Sequence, residues 1–182
     1  MRKPRALSPG DRLALVSPAS PFVREEFDRG VDEIRRLGFE PVYDDSVFAR
    51  QRYVSGSAAV RAAAIHGAWR DPSIAGLIAV RGGYGSAQVL PLLDRDEARR
   101  ARKPFIGYSD LTAMLTFLTL GCDLVCFHGP MLAGRLGRGA AGYDADSFMK
   151  ALCHREPMGE LWRPRSNPFD RGRLPVCFWA GR

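Results

Sequence analysis

The chain has 182 residues, 46% of them hydrophobic, and its 27 Lys and Arg residues against 20 Asp and Glu give a formal net charge of +7. A chain of this length forms one domain, or one domain with an appendage, and has enough apolar residues for a buried core. It contains no run of about 20 apolar residues, so a membrane-spanning helix is excluded. No apolar segment of signal-peptide length follows the basic N-terminus, which favours the cytoplasm.

Predicted strands and helices alternate along the chain. Apolar runs predict strands at 13–17, 40–43, 74–80, 105–108 and 124–127. Helical spacing predicts helices at 23–37, 57–69, 89–93, 95–103 and 111–118. Strands separated by helices favour right-handed βαβ units. The predicted fold class is therefore α/β, with a parallel sheet flanked by helices. The predicted domain spans residues 1–155, and prolines and glycines in 156–182 indicate a linker.

Ser109 lies at the predicted turn between the fourth strand and the helix that follows it. A serine placed there projects its hydroxyl above the sheet edge, where free N–H groups of the first helical turn stabilise an oxyanion. Serine is also a preferred N-cap, so Ser109 could simply cap the helix. The strand-turn-helix pattern alone leaves both interpretations open.

A glycine-rich segment, Arg81-Gly-Gly-Tyr-Gly85, directly follows the apolar strand at 74–80. Glycines at such a place mark a tight turn or the close approach of a ligand. Neither GxGxxG nor the lysine-bearing phosphate loop is present. The segment is either a tight connection or the source of an oxyanion donor from Gly82 or Gly83. In the second case it should lie beside Ser109, with a positive φ in at least one of these glycines.

Histidines and cysteines give less specific signals. His128 follows an apolar strand on the same predicted edge as Ser109, where it is a candidate base. His66 is interpreted as a surface residue. Cys122 and Cys126 are interpreted as core residues on one face of a strand rather than as metal ligands. No metal site is therefore expected.

The positive charge would attract either of two anionic partners, a nucleic acid or a small anionic substrate. Nucleic-acid binding is not expected, because no basic stripe carries interleaved aromatic residues and no recognised motif is present. An anionic substrate, such as a peptidoglycan peptide, would also be attracted by the charge.

Three separated motifs occur in the order typical of one family. They are Arg81-Gly-Gly-Tyr-Gly85, Phe105-Ile-Gly-Tyr-Ser-Asp-Leu-Thr112 and Phe127-His-Gly-Pro-Met131. With them the chain resembles the LD-carboxypeptidases, serine peptidases that include muramoyltetrapeptide carboxypeptidases and microcin C immunity proteins. Tyr53-Val-Ser-Gly56, followed by an alanine-rich helix with Arg61, also fits. The resemblance covers residues 4 to 150.

The resemblance implies a flavodoxin-like N-terminal domain with Ser109 as the nucleophile. It implies an oxyanion hole formed by the N–H of Asp110 and that of Gly82 or Gly83. The reaction implied is removal of the terminal D-alanine from murein tetrapeptides in peptidoglycan recycling, without cofactor or metal. A microcin C-type immunity peptidase is the alternative within the family.

In the family, a glutamate and a histidine from a C-terminal domain complete the catalytic triad. His128 is accordingly expected, with Tyr84, in the substrate pocket. This chain ends at Arg182, near the family's linker, with an aberrant last stretch from Gly172. A fragment, an early stop or a frameshift would each explain it. The chain alone is expected to be inactive. The alternative is a non-catalytic remnant or a peptide-binding module. Apolar surface exposed by the missing domain would also allow a homodimer to form.

Overall fold

The computed structural model describes residues 1–156, so the predicted linker and the aberrant end, apart from Glu156, lie outside the described residues. Five parallel strands form one sheet in the order β2-β1-β3-β4-β5. The strands are β1 (Arg12–Val16), β2 (Glu40–Val42), β3 (Ile74–Ala79), β4 (Phe105–Gly107) and β5 (Phe127–His128). The prediction of a parallel sheet flanked by helices is confirmed.

Helices cover both faces of this sheet. The α-helices are α1 (Arg24–Arg36), α2 (Ala58–Arg70), α3 (Arg95–Ala101), α4 (Thr112–Thr116) and α5 (Ala145–Cys153). Shorter 3-10 turns lie at Asp45–Phe48, Ser86–Gln88, Leu90–Leu92, Ser109–Leu111 and Leu136–Ala141, and a π-helical turn at Phe117–Gly121 continues α4. Within residues 1–156, none of the helices has both the length and the apolar composition needed to cross a bilayer.

The central strand β3 is buried on both faces and divides the core in two. Helices α1 and α5 pack on one side, where Phe27 and Ile34 of α1 are fully buried. Helices α2, α3 and α4 pack on the other, where Ile65 and Met114 are fully buried. Each such side chain contributes about 1.5–3 kcal/mol by leaving water. This double burial explains why β3 appears in the sequence as an uninterrupted apolar run.

The edge strand β2 contains a proline. The N–H of Glu40 donates to the carbonyl of Asp11 on the β1 side at 3.0 Å. Successive residues of a strand point their N–H groups to opposite sides. The nitrogen of Pro41 therefore faces the free edge, which is where a sheet tolerates proline.

Two predicted elements differ from the structure. Residues 89–93 form no α-helix: a 3-10 turn spans Leu90–Leu92, and the backbone is extended again at Leu93. The fifth strand begins at Phe127 rather than at Leu124, which makes only an isolated bridge to Arg2.

The cysteines lie in the core, although not on a strand as predicted. Cys122 ends the π-helical turn and is buried, and Cys126 is half-buried against the same apolar cluster. Burial raises the pKa of the Cys126 thiol to about 12. The core interpretation is confirmed, whereas the shared strand is wrong.

The interpretation of His66 as a surface residue is wrong. Its Nδ1 lies 3.0 Å from the Glu97 carboxylate, and its Nε2 lies 3.0 Å from the Leu92 carbonyl. Arg70 donates to the other carboxylate oxygen of Glu97 at 2.8 Å. The side chains of His66 and Glu97 are only 14% and 11% exposed. This polar group joins α2 to α3, a contact that helix periodicity cannot reveal.

Replacing Glu97 by Gln should lower the free energy of unfolding by about 1–3 kcal/mol at pH 7, because charge-assisted hydrogen bonds are lost. Burial alone would raise the pKa of Glu97, but the hydrogen bonds from Arg70 and His66 outweigh it and lower the pKa. A carboxylate of this kind stabilises the fold above its unfolded-state pKa of about 4.3, and the stabilisation is lost as pH falls through the folded-state pKa. Urea denaturation at several pH values measures both effects.

The matched control is Asp96→Asn on the same helix. Asp96 forms an exposed ion pair with Arg99, which should contribute less than about 0.5 kcal/mol. Equal losses in the two variants, or a loss in Glu97→Gln that does not shrink at acid pH, would contradict the prediction.

Candidate active site

The turn after β4 holds Ser109 in a conformation that is rare for a residue with a side chain. Its φ is 62°, in the left-handed region, and the residue is exposed. The helical turn is capped by Tyr108, not by Ser109, and no side-chain capping bond is present. The cap interpretation is therefore wrong. Within residues 1–156 the Ser109 hydroxyl makes no hydrogen bond.

The glycine-rich loop lies beside Ser109, as predicted. A Cβ built on Gly82 would lie 3.2 Å from the Ser109 Cβ and 3.4 Å from its Oγ. A larger residue at Gly82 would crowd the serine. Gly83 has a φ of 103°, so the predicted positive φ is confirmed as well.

The two segments that adjoin Ser109 both contain backbone N–H groups without an acceptor among the described residues. The N–H groups of Gly82 and Gly83 have no acceptor among the described residues. Asp110 lies in the first turn after Ser109, where N–H groups have no acceptor inside the helix. Free donors of this kind suit an oxygen that becomes negatively charged during a reaction.

The glycine-rich loop is tied to the loop after β1 by Ser20. The N–H of Ser20 donates to the Gly82 carbonyl at 3.1 Å, and its Oγ accepts from the N–H of Tyr84 at 3.0 Å. The same Oγ donates to the Tyr53 carbonyl at 3.1 Å. Ser20 thus binds the Gly82 carbonyl and the Tyr84 N–H of the loop. The N–H groups of Gly82 and Gly83 remain without an acceptor within residues 1–156.

Asp110 ties the same loop to the turn that carries Ser109. Its carboxylate accepts from the N–H of Ser86 at 2.9 Å, and its carbonyl accepts from the Ser86 hydroxyl at 2.6 Å. Ser86 is completely buried. The side chain of Asp110 is thereby engaged in holding two loops together.

Sequence reasoning did not identify the roles of Ser20 and Ser86, and it noted Arg61 only as part of the resemblance. Arg61 is 97% buried, at 3% exposure, in a helix whose other buried residues are apolar. A single arginine on the buried face of an alanine-rich helix was the available signal. The two serines carry no comparable signal, because serine is common in turns.

The expected pocket residues lie near the same edge. His128 ends β5 and is exposed, with its ring 6.0 Å from that of Tyr108. It makes no hydrogen bond to Ser109 within the described residues. Tyr84 is 61% exposed at the tip of the glycine-rich loop. The guanidinium of Arg135 lies 5.8 Å from the centre of the Tyr108 ring, which places a cation beside this edge.

The fold is an α/β domain with an exposed serine at the turn between a strand and a helix, and comparison gives its family. The model of the LD-carboxypeptidase N-terminal domain, Peptidase S66, matches residues 13–129. The chain belongs to this family.

Relatives in the family carry two kinds of name. A murein tetrapeptide carboxypeptidase of Pseudomonas aeruginosa is 34% identical over 68% of this chain and 40% of its own length. The microcin C7 self-immunity protein MccF of Escherichia coli is 32% identical over 92% of this chain and 52% of its own. A provisionally named carboxypeptidase of Streptomyces coelicolor is 38% identical over 72% and 44%. The chain thus spans about half the length of these relatives.

Solved structures give the same picture. MccF in complex with glutamyl sulfamoyl guanosine superposes with a TM-score of 0.80 and 29% identity, over 85% of this chain and 48% of that one. A muramoyltetrapeptide carboxypeptidase from Oxalobacter formigenes superposes with a TM-score of 0.69 and 25% identity, over 77% and 47%. The described domain therefore corresponds to part of each of these proteins.

Replacing Ser109 by Gly should raise the free energy of unfolding by about 0.5–1 kcal/mol. The left-handed conformation costs an L-residue about 1–2 kcal/mol, and the greater freedom of glycine in the unfolded chain offsets part of the gain. Replacing Ser109 by Ala removes the hydroxyl but keeps the Cβ, so no such gain is expected. Urea denaturation of the two variants tests this, and equal stabilities would show that no strain is stored at this residue.

Proposed function

We propose that this domain carries the nucleophile of a serine LD-carboxypeptidase. The observation that supports it most strongly is the exposed Ser109 with its positive φ, which lies beside Gly82 of the glycine-rich loop. A strained turn between strand and helix is how α/β hydrolases present a nucleophilic serine. Strain of this kind persists where the surrounding structure enforces it, and such positions cluster at active sites.

The proposed reaction is acyl transfer. The Ser109 Oγ attacks the amide carbonyl that precedes a terminal D-alanine, and the hydroxyl proton passes to a base. The tetrahedral intermediate collapses to an acyl-enzyme when the C–N bond breaks, and the base returns the proton to the leaving amine. Water then hydrolyses the ester and frees Ser109. The N–H of Asp110 and that of Gly82 or Gly83 would hold the negative oxygen.

The base is proposed to come from outside residues 1–156. His128 makes no hydrogen bond to Ser109 in the described part of the chain, and the family resemblance gives it a place in the substrate pocket with Tyr84. The resemblance assigns the base to a histidine of a C-terminal domain, oriented by a glutamate. The chain spans about half of its relatives, which is consistent with that assignment.

The proposed substrate is a murein tetrapeptide, in peptidoglycan recycling in the cytoplasm. The names of relatives that act on murein peptides support this. The second candidate is an acylated sulfamoyl nucleoside, because MccF was solved with glutamyl sulfamoyl guanosine and aspartyl sulfamoyl adenosine. Assaying both compounds distinguishes them. A non-catalytic peptide-binding module is the remaining alternative.

The 182-residue chain alone should release D-alanine about 10⁴ to 10⁶ times more slowly than a complete enzyme, because a serine hydroxyl without its base is a weak nucleophile. The measurement is D-alanine release from a murein tetrapeptide, with the Pseudomonas aeruginosa relative as the reference. Turnover within tenfold of that relative would sink this prediction, and would indicate His128 or a partner chain as the source of the base.

Ser109 itself is tested in an extended chain, in which residues 1–156 are joined to the C-terminal domain of the Pseudomonas aeruginosa relative, so that α5 stays complete. Ser109→Ala should lower D-alanine release by at least about 10⁴-fold, since the covalent step is lost. Ser147→Ala, in α5 on the α1 side of the sheet, is the control and should retain full activity. Activity of Ser109→Ala close to that of the control would remove Ser109 from the mechanism.

A further inference from the structure

Arg61 binds four acceptors in three segments of the chain from inside the protein. Its Nη1 donates to the carbonyls of Pro18 at 2.6 Å and Gly85 at 2.8 Å. Its Nε donates to the Gly56 carbonyl at 3.2 Å, and its Nη2 donates to the Gln88 side-chain oxygen at 2.8 Å. The residue itself is 3% exposed.

The acceptors around this buried charge are all neutral. Among residues 1–156 no carboxylate lies within ion-pair distance of the guanidinium. Burial lowers the pKa of Arg61, and the charge of Asp110 partly opposes that effect. An arginine still keeps its proton in such a place. Burying a charge is costly unless its hydrogen bonds are satisfied, so all four acceptors are needed to retain it.

These acceptors lead directly to the glycine-rich loop. Gly85 closes that loop, with a φ of 110°. Pro18 lies two residues before Ser20, which holds the Gly82 carbonyl and the Tyr84 N–H. Arg61 therefore binds the loop directly at Gly85. It also acts on the loop indirectly at Gly82, through the segment from Pro18 to Ser20.

We propose that Arg61 is the positioning residue that fixes Gly82 and Gly83 against Ser109, and so determines the geometry of the oxyanion site. The consequence for catalysis rests on the proposed function, whereas the positioning itself does not. A guanidinium is suited to the task because its rigid fork offers five donors in several directions. A lysine carries three donors on one atom and cannot reach four separated acceptors.

Lys103, in the connection between α3 and β4, provides a matched control that binds the other end of α2. Its Nζ donates to the carbonyls of Ala68, Trp69 and Asp71 at 2.7, 3.0 and 2.6 Å. Like Arg61, it is a cation that donates to main-chain carbonyls, and it is half-buried. Burial lowers the pKa of Lys103. Its contacts lie at the C-terminal end of α2, away from the glycine-rich loop. Lys103→Met should therefore cost stability without loosening that loop.

The experiment measures backbone ¹⁵N relaxation of the full 182-residue chain. In wild type, the order parameters of Gly82 and Gly83 should be near 0.85, the value of a rigid backbone, and in Arg61→Met they should fall below about 0.6. Arg61→Lys keeps the charge but not the fork, so it should loosen the same two glycines. Lys103→Met should leave them at the wild-type value.

Two outcomes would overturn the proposal. The first is wild-type order at Gly82 and Gly83 in both Arg61 variants. The second is loss of folding in both, since Arg61 would then support the whole fold rather than one loop. Because relaxation requires no turnover, a chain that hydrolyses no peptide would contradict the proposed function while leaving the test of Arg61 intact.

Discussion

The parallel pairing of β1, β3 and β4 determines the rest of the site. Because neighbouring parallel strands end at the same edge, the loops that follow them must meet there. Each of these three strands is followed by one residue of the site: Ser20, Gly82 and Ser109. Gly82 lies between the other two, because its carbonyl binds the Ser20 N–H and its Cα lies beside Ser109. An antiparallel neighbour would have sent its loop to the opposite edge.

Much of this arrangement could be predicted from the sequence, because burial leaves a direct mark on composition. The strand at 74–80 is apolar without interruption since both of its faces are covered. The place of Ser109 between strand and helix followed from a change in periodicity. The meeting of its loop with Gly82 followed from the parallel topology.

Other features could not be predicted, because they depend on contacts between distant segments or on a backbone angle. The same local pattern suits a capping serine and a strained one, and only the φ of Ser109 separates them. His66 is held by Glu97, a residue 31 positions away on another helix. The acceptors of Arg61 come from three loops, and no local pattern records that they converge. The predicted start of β5 was wrong because residues 124–126 are apolar without pairing in the sheet. Leu124 and Cys126 pack against the core instead.

The proline at the centre of β2 has a consequence for association between molecules. An exposed sheet edge is a template on which a second chain can add a strand. At this edge the nitrogen of Pro41 faces outward, so an arriving strand finds a missing donor in the middle of a three-residue partner. Growth of the sheet from β2 into a continuous intermolecular sheet is thereby opposed. Two copies of the domain would therefore associate through side chains on their helices, or at the opposite edge of the sheet, at β5.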